Sequence, residues 1–327
     1  MNGEAGITQS TEVTDNESKA YGGSVMEPSS STHQDSRDTD TRALVLGGGG
    51  TLGMAWQAGL MTGLAEGGVD FGTADLLAGT SSGSLIAAHL AMELDPLDAL
   101  QSLGAFGAAL TAGSFEIDPA GLADAMAQAA ASDTPEEGLR VVGRLATEAV
   151  TLDENTFLGL FPQLEGKSWP PGFACTAIDT GTGSLQVWDA SSGVSPQRAV
   201  ASSMSVPLTL PPVTINDRRY IDGGLRDPLN AGLGAGYDRV VAISCFPLSP
   251  PFGTDASEIA SAEVNAGLDR VRQRARSLAV IEPGPEFFEI SGGGARIMDP
   301  TQAADAHAAG LAQARSEQDR IRRAWHG

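Results

Sequence analysis

The chain has 327 residues, 41% of them hydrophobic, which is enough to bury a sizeable core as one large or two smaller domains. Its 41 Asp and Glu against 20 Lys and Arg give a formal charge of −21, which opposes long-range attraction to nucleic-acid phosphate and to anionic lipid. No nucleic-acid partner is expected, and any lipid contact has to be local and apolar.

Residues 1–41 are rich in Ser, Thr, Asp and Glu and nearly free of large apolar side chains, so they read as a disordered acidic tail. Met1 to Tyr21 lacks the basic and apolar regions of a secretory leader, and no apolar run reaches the roughly 18 residues of a membrane span. A soluble, cytoplasmic protein is expected. Cys175 and Cys245 both sit in apolar segments, where free cysteine serves as a small buried hydrophobe in a reducing compartment.

From residue 42 to 327 the pattern is that of a folded domain. Arg42 to Gly47 reads as a short buried strand ending in a glycine turn, and Met54 to Leu64 has helical apolar spacing. A second unit repeats this plan, with a strand at Ala74 to Ala78, a tight turn at Gly79 to Gly83 and an apolar helix at Ser84 to Met92. Residues 97–165 are helical in character, broken at Gly104, Asp118-Pro119 and Asp133 to Pro135, and are expected to form a cap or one wall of a cleft. Strand patterns return at Phe173 to Ile178, Ser184 to Trp188, Arg239 to Ser244 and Leu278 to Ile281, and Pro300 to Trp325 closes the chain as a helix. This alternation predicts an α/β sheet covered by helices on both faces.

Gly79-Thr-Ser-Ser-Gly83 matches a nucleophile elbow, in which a strained strand-to-helix turn exposes the central serine, Ser81. Gly79 and Gly83 then leave room at the bend; a purely structural glycine turn would also fit the pattern. Upstream, Gly47-Gly-Gly-Gly-Thr-Leu-Gly53 lets consecutive N–H groups converge on an anion, as an oxyanion hole or a phosphate cradle. Gly48, Gly50 and Gly53 also satisfy a dinucleotide fingerprint with Asp70 as the ribose-binding acid, although Glu66 to Asp70 has little strand character.

An activated serine needs a base. His89 lies about two helical turns beyond Ser81, roughly 12 Å along the axis and out of reach, and His307 has no turn motif around it. Asp222, in Tyr220-Ile-Asp-Gly-Gly224, stands where a short apolar strand ends and two glycines leave a carboxylate reachable; capping a turn is its plainer alternative. No His and Cys cluster has metal-ligand spacing, so neither a metal nor an organic cofactor is expected.

The order of the glycine-rich loop, the Gly-x-Ser-x-Gly motif and Asp-Gly-Gly resembles the patatin-like phospholipase family, its bacterial members in particular. Ala43 to Gly50 with Met54 to Gly59 is similar to the family's opening strand and helix, and Ala201-Ser-Ser-Met-Ser-Val-Pro207 to the segment leading to its aspartate. The resemblance covers roughly residues 42–245. It implies a three-layer α/β/α fold with a central, mostly parallel sheet, and a serine–aspartate dyad without histidine. Ser81 would be the nucleophile, Asp222 the base, and the backbone of Gly48, Gly49 and Gly50 the oxyanion hole, with Gly53, Gly79, Gly83, Gly223 and Gly224 supporting the motifs. Leu52 stands where many members carry Arg or Lys.

The implied activity is hydrolysis of lipid carboxylic esters through an acyl-enzyme, in the manner of a phospholipase A or lysophospholipase. The partner is then a lipid or acyl ester substrate, with transient membrane-surface contact through apolar loops such as Val206 to Val213, expected to be exposed. Transfer to an acceptor other than water would make the protein a transacylase. A non-catalytic lipid-binding module of the same fold and a dinucleotide-binding oxidoreductase remain as alternatives. Nothing in the sequence selects the ester, its chain length or the oligomeric state.

Overall fold

Strand β1 (Arg42–Leu46) holds the middle of the sheet, with Ala43 to Leu46 wholly buried. A strand apolar at successive positions has to be covered on both faces, and that requirement organises the chain. In this computed structural model residues 40–111, 118–248 and 258–327 are described. The expected tail lies outside them except for its last two residues. Asp40 pairs with Arg239 and Arg276, and the Thr41 N–H and hydroxyl both donate to Asp238 Oδ2.

The eight-stranded sheet runs β5 (Val213–Ile215), β6 (Arg218–Asp222), β3 (Phe173–Asp179), β2 (Leu76–Thr80), β1, β7 (Arg239–Ile243), β8 (Ser277–Ile281), with β4 (Leu185–Trp188) paired to β3. β3, β2, β1, β7 and β8 are parallel; β4 and β6 lie antiparallel to β3, and β5 antiparallel to β6. One detail of the pairing builds the site. A strand has two edges, and β4 occupies one edge of β3 along residues 175–178. The other edge is therefore shared: β2 pairs with β3 from Phe173 to Thr176, and β6 takes over at Ala177, opposite Asp222. The end of β2 and the end of β6 meet there.

On one face Leu44, Leu46, Leu77, Phe173, Val241 and Ile243 form the main core with α1 (Gly50–Glu66), α2 (Ser82–Ala91), α7 (Pro196–Ser203), α9 (Pro285–Ser291) and α10 (Ala303–His326). The alternate residues, Ala43, Val45, Ala78, Val240 and Ala242, pack against α8 (Glu258–Arg272). Further along that second face Ile178 and Ile221 meet Leu139, Val142 and Ala146 of α5 (Pro135–Glu148). The result is the expected three-layer α/β/α fold.

The stretch 97–165 does not behave as one cap. Its helices are α3 (Leu100–Thr111), α4 (Pro119–Ala130), α5 and α6 (Glu154–Leu158). α4 packs on α5, and α5 on β3 and β6, so this pair belongs to the second helical layer; among the described residues of the stretch, α3 and the α6 region are the parts that reach the cleft. The breaks at Asp118 and Thr134 are helix caps followed by proline, each side chain accepting an N–H three residues on, whereas Gly104 lies inside α3.

Candidate active site

Ser81 joins β2 to α2 with φ 52° and ψ −128°, a conformation a non-glycine residue keeps only when its surroundings impose it. Its N–H donates to Ser203 Oγ at 2.8 Å, and its carbonyl accepts from the Ser84 N–H and hydroxyl at 2.9 and 2.6 Å. The bend is too tight for side chains on its flanks: a Cβ on Gly79 would fall 2.4 Å from Gly83 O, and one on Gly83 would fall 2.5 Å from Leu46 O.

The Ser81 hydroxyl donates to Asp222 Oδ2 at 2.6 Å, across 141 residues of sequence. Asp222 Oδ1 accepts the Gly224 N–H at 2.7 Å. Asp222 is buried, and that burial pushes its carboxyl up to about 6 against the opposing pull of the Ser81 and Gly224 hydrogen bonds. Behind the pair, Asn230 Nδ2 donates to Thr80 Oγ1 at 3.0 Å, to Asp227 O at 2.7 Å and to Gly223 O at 3.4 Å, tying the residue before Ser81 to the residue after Asp222. Gly223 lies against Thr176, and Gly224 has more room.

The glycine loop passes over the elbow, where a Cβ on Gly48 would sit 2.9 Å from Ser81 Cβ. Its N–H groups differ from the expected set. Gly48 N–H donates to Pro228 O at 2.7 Å and Gly49 N–H to Ser82 Oγ at 2.9 Å, so neither is free for an anion. The Gly53 N–H is likewise used, on Gly49 O. Among the described residues, the N–H groups of Gly50 and Thr51, which open α1, and of Ser82, which opens α2, have no acceptor in the protein. All three residues line the same cavity as Ser81.

That cavity is narrow, about 50 Å³, and mostly apolar, walled by Met54, Phe157, Leu160, Met204, Leu210 and Met298 among others. Ser102 of α3 also lines it and, unlike Ser84 and Ser202, does not bond back to its own helix. Val206 to Val213 are not an exposed loop. Pro207 and Thr209 to Val213 are buried, and Val206 and Leu210 face the cavity, because the segment is held by the Leu210 N–H on Val206 O and by Ser205 Oγ on Pro211 O.

Residues 44–233 match the family model for patatin-like phospholipases, a span that includes the glycine loop, Ser81 and Asp222. The chain belongs to the patatin-like phospholipase family. Among solved structures it is similar to VipD from Legionella pneumophila, at 14% identity over 86% of this chain and 67% of that one, with a TM-score of 0.41. It is also similar to the type III effector protein ExoU, at 16% identity over 84% of this chain and 53% of that one, with a TM-score of 0.33. For ExoU in complex with SpcU from Pseudomonas aeruginosa the identity is 17% and the TM-score 0.31. The chain thus spans between half and two thirds of the length of these structures. No curated protein sequence matches it.

In this patatin-like chain the other candidates fall away from the serine. His89 is buried on α2 with Nδ1 against Leu85 O at 2.8 Å, and burial lowers its pKa; burial also lowers that of His307 on α10. Asp70 caps a short turn by accepting the Gly72 N–H, and no strand lies between α1 and it, so the dinucleotide reading loses its ribose acid. Leu52 is fully buried in the core. Burial raises the thiol pKa of Cys175 and Cys245, which are free and inert. Among the described residues no cluster of three or more His, Cys, Asp or Glu could hold a metal ion, and no helix is long and apolar enough to cross a membrane. Thr51, Ser82, Ser203 and Asn230 join the site without having been singled out in the sequence.

Proposed function

We propose that this protein is a serine acyl hydrolase that cleaves lipid carboxylic esters, with Ser81 as nucleophile and Asp222 as its base. The observation that carries this reading is the 2.6 Å hydrogen bond from a strained, strand-to-helix serine to a buried carboxylate beside an apolar cavity. Burial that lifts Asp222 to about 6 makes it a stronger base than an ordinary aspartate while leaving it ionised at pH 7.

As Ser81 Oγ attacks the ester carbonyl, its proton passes to Asp222 Oδ2, and the carbonyl electron pair moves onto oxygen. In this reading the N–H groups of Gly50, Thr51 and Ser82, which line the cavity at the N-terminal ends of two helices whose dipoles favour negative charge, hold that oxyanion. When the tetrahedral adduct collapses, the alkoxide leaves with the proton from Asp222 and Ser81 stays acylated. Water then repeats the sequence, losing its proton to Asp222, and the acid departs as Ser81 Oγ recovers a proton. Gly48 and Gly49 support the loop in this scheme and Gly50 alone of the three acts on the substrate.

The acyl chain occupies the cavity. At about 50 Å³ it admits only a short chain as it stands, but Met54, Met204 and Met298 are unbranched side chains that repack easily. The charge of −21 disfavours anionic headgroups, which points to neutral or zwitterionic esters.

The test is hydrolysis of nitrophenyl acyl esters by wild type, Ser81→Ala and Asp222→Asn, each checked for folding by circular dichroism. Turnover by wild type, with losses of about 10⁴-fold or more in both folded variants, is the expected result. Full activity in Ser81→Ala would remove the assignment, and a folded but inert wild type would favour a lipid-binding role without chemistry.

A further inference from the structure

Four residues running from the end of α7 toward β5 touch the reacting pair and the cavity by turns, on alternate positions. Ser203 Oγ accepts the Ser81 N–H at 2.8 Å, and Ser205 O accepts the Asp222 N–H at 2.9 Å; both serines are fully buried. Met204 and Val206, between and after them, line the cavity. The stretch has little slack: Met204 N–H donates to Val200 O, Val206 N–H to Met204 O, and Ser205 Oγ to Pro211 O.

Ser81 holds φ 52° only because neighbouring bonds fix it, and the bond to Ser203 is the one made by its own N–H. We infer that Ser203 is a positioning residue, and that the segment 203–206 couples filling of the acyl cavity to the alignment of Ser81 with Asp222. A chain that presses on Met204 and Val206 seats the intervening Ser203 and Ser205 against the two reacting residues, so that binding energy far from the ester is used to align the nucleophile. A chain too short to reach these side chains does not add that restraint. This inference rests on the hydrolase reading given above.

The experiment measures acylation at saturating substrate, from the nitrophenolate burst, for acetyl, butanoyl and hexanoyl esters, using wild type, Ser203→Ala and the near-isosteric but weakly accepting Ser203→Cys. In wild type the acylation rate, and not only KM, rises with chain length, on the order of tenfold across the series. In both variants the rates fall on the order of 100-fold, as for a displaced nucleophile, and the chain-length ratio collapses toward one while KM changes little. A variant that merely unfolds in part loses activity in equal proportion for every ester and keeps the wild-type ratio, so an unchanged ratio in both variants overturns the coupling. Failure of folded wild type to acylate with any ester overturns the hydrolase reading itself, and this inference with it.

Discussion

Asp222→Asn separates function from stability in opposite directions. The carboxyl moves from an ordinary 3.8 to about 6 because folding buries it. Between those two values the folded chain binds a proton that the unfolded chain has released, so stability falls as pH rises through the window and stays low above it. Two units correspond to roughly 3 kcal/mol carried as a penalty at pH 7. Asparagine keeps an acceptor for the Gly224 N–H and presents an NH₂ to Ser81 Oγ without the buried charge. The variant should therefore be inactive yet more stable at pH 7, by up to roughly 3 kcal/mol, and the gain should vanish toward pH 4.

With Asp222 as the proposed base, the same titration should govern the wild-type rate. At pH 5 about a tenth of Asp222 is ionised, so kcat/KM should be roughly tenfold below its pH 7 value, whereas an aspartate at 3.8 would lose less than about a tenth. Urea unfolding of both proteins at pH 4, 5.5 and 7, with esterase rates read by pH-stat over the same range, checks both halves. A flat rate from pH 7 to pH 4.5, or an Asn variant no more stable than wild type at pH 7, would refute the reasoning.

Other perturbations test the surroundings. Gly48→Ala places a methyl 2.9 Å from Ser81 Cβ, so acylation should fall about 100-fold and stability by about 1–3 kcal/mol, read by burst kinetics and thermal melting. Ser102→Ala removes a buried hydroxyl that has no partner among the described residues, so stability should hold or rise by up to about 1 kcal/mol; a loss of stability would mean the hydroxyl is paired in solution.

What could be read from the sequence was local. β1, β2, β7 and β8 announce themselves as short apolar runs, and Ser81 and Asp222 as residues flanked by glycines, because a tight bend leaves its mark within five positions. α8 leaves a weaker mark: among its described residues Val264, Leu268 and Val271 are the large apolar side chains on the buried side, while Gly267 beside them is also buried and adds no apolar signal. β5, three residues long, is too short to show a period. The Ser203 and Asn230 bonds were illegible for a different reason, since they reach residues 122 and 150 positions away. The glycine loop shows the limit most clearly. Its composition says that no side chain blocks the N–H groups, but only the fold reveals that Pro228 O and Ser82 Oγ occupy two of them. For Val206 to Val213, apolarity alone did not tell a surface loop from a cavity wall.

The shared edge of β3 also bears on how activity should return during refolding. Ser81 and Asp222 are brought together only when β2 has paired with one half of that edge and β6 with the other, contacts that close loops of about a hundred and about forty residues. Such long closures come late and slowly compared with helix formation. Recovery of the proposed esterase activity after dilution from denaturant should lag the return of helical signal, giving the protein its own reporter for completion of the sheet.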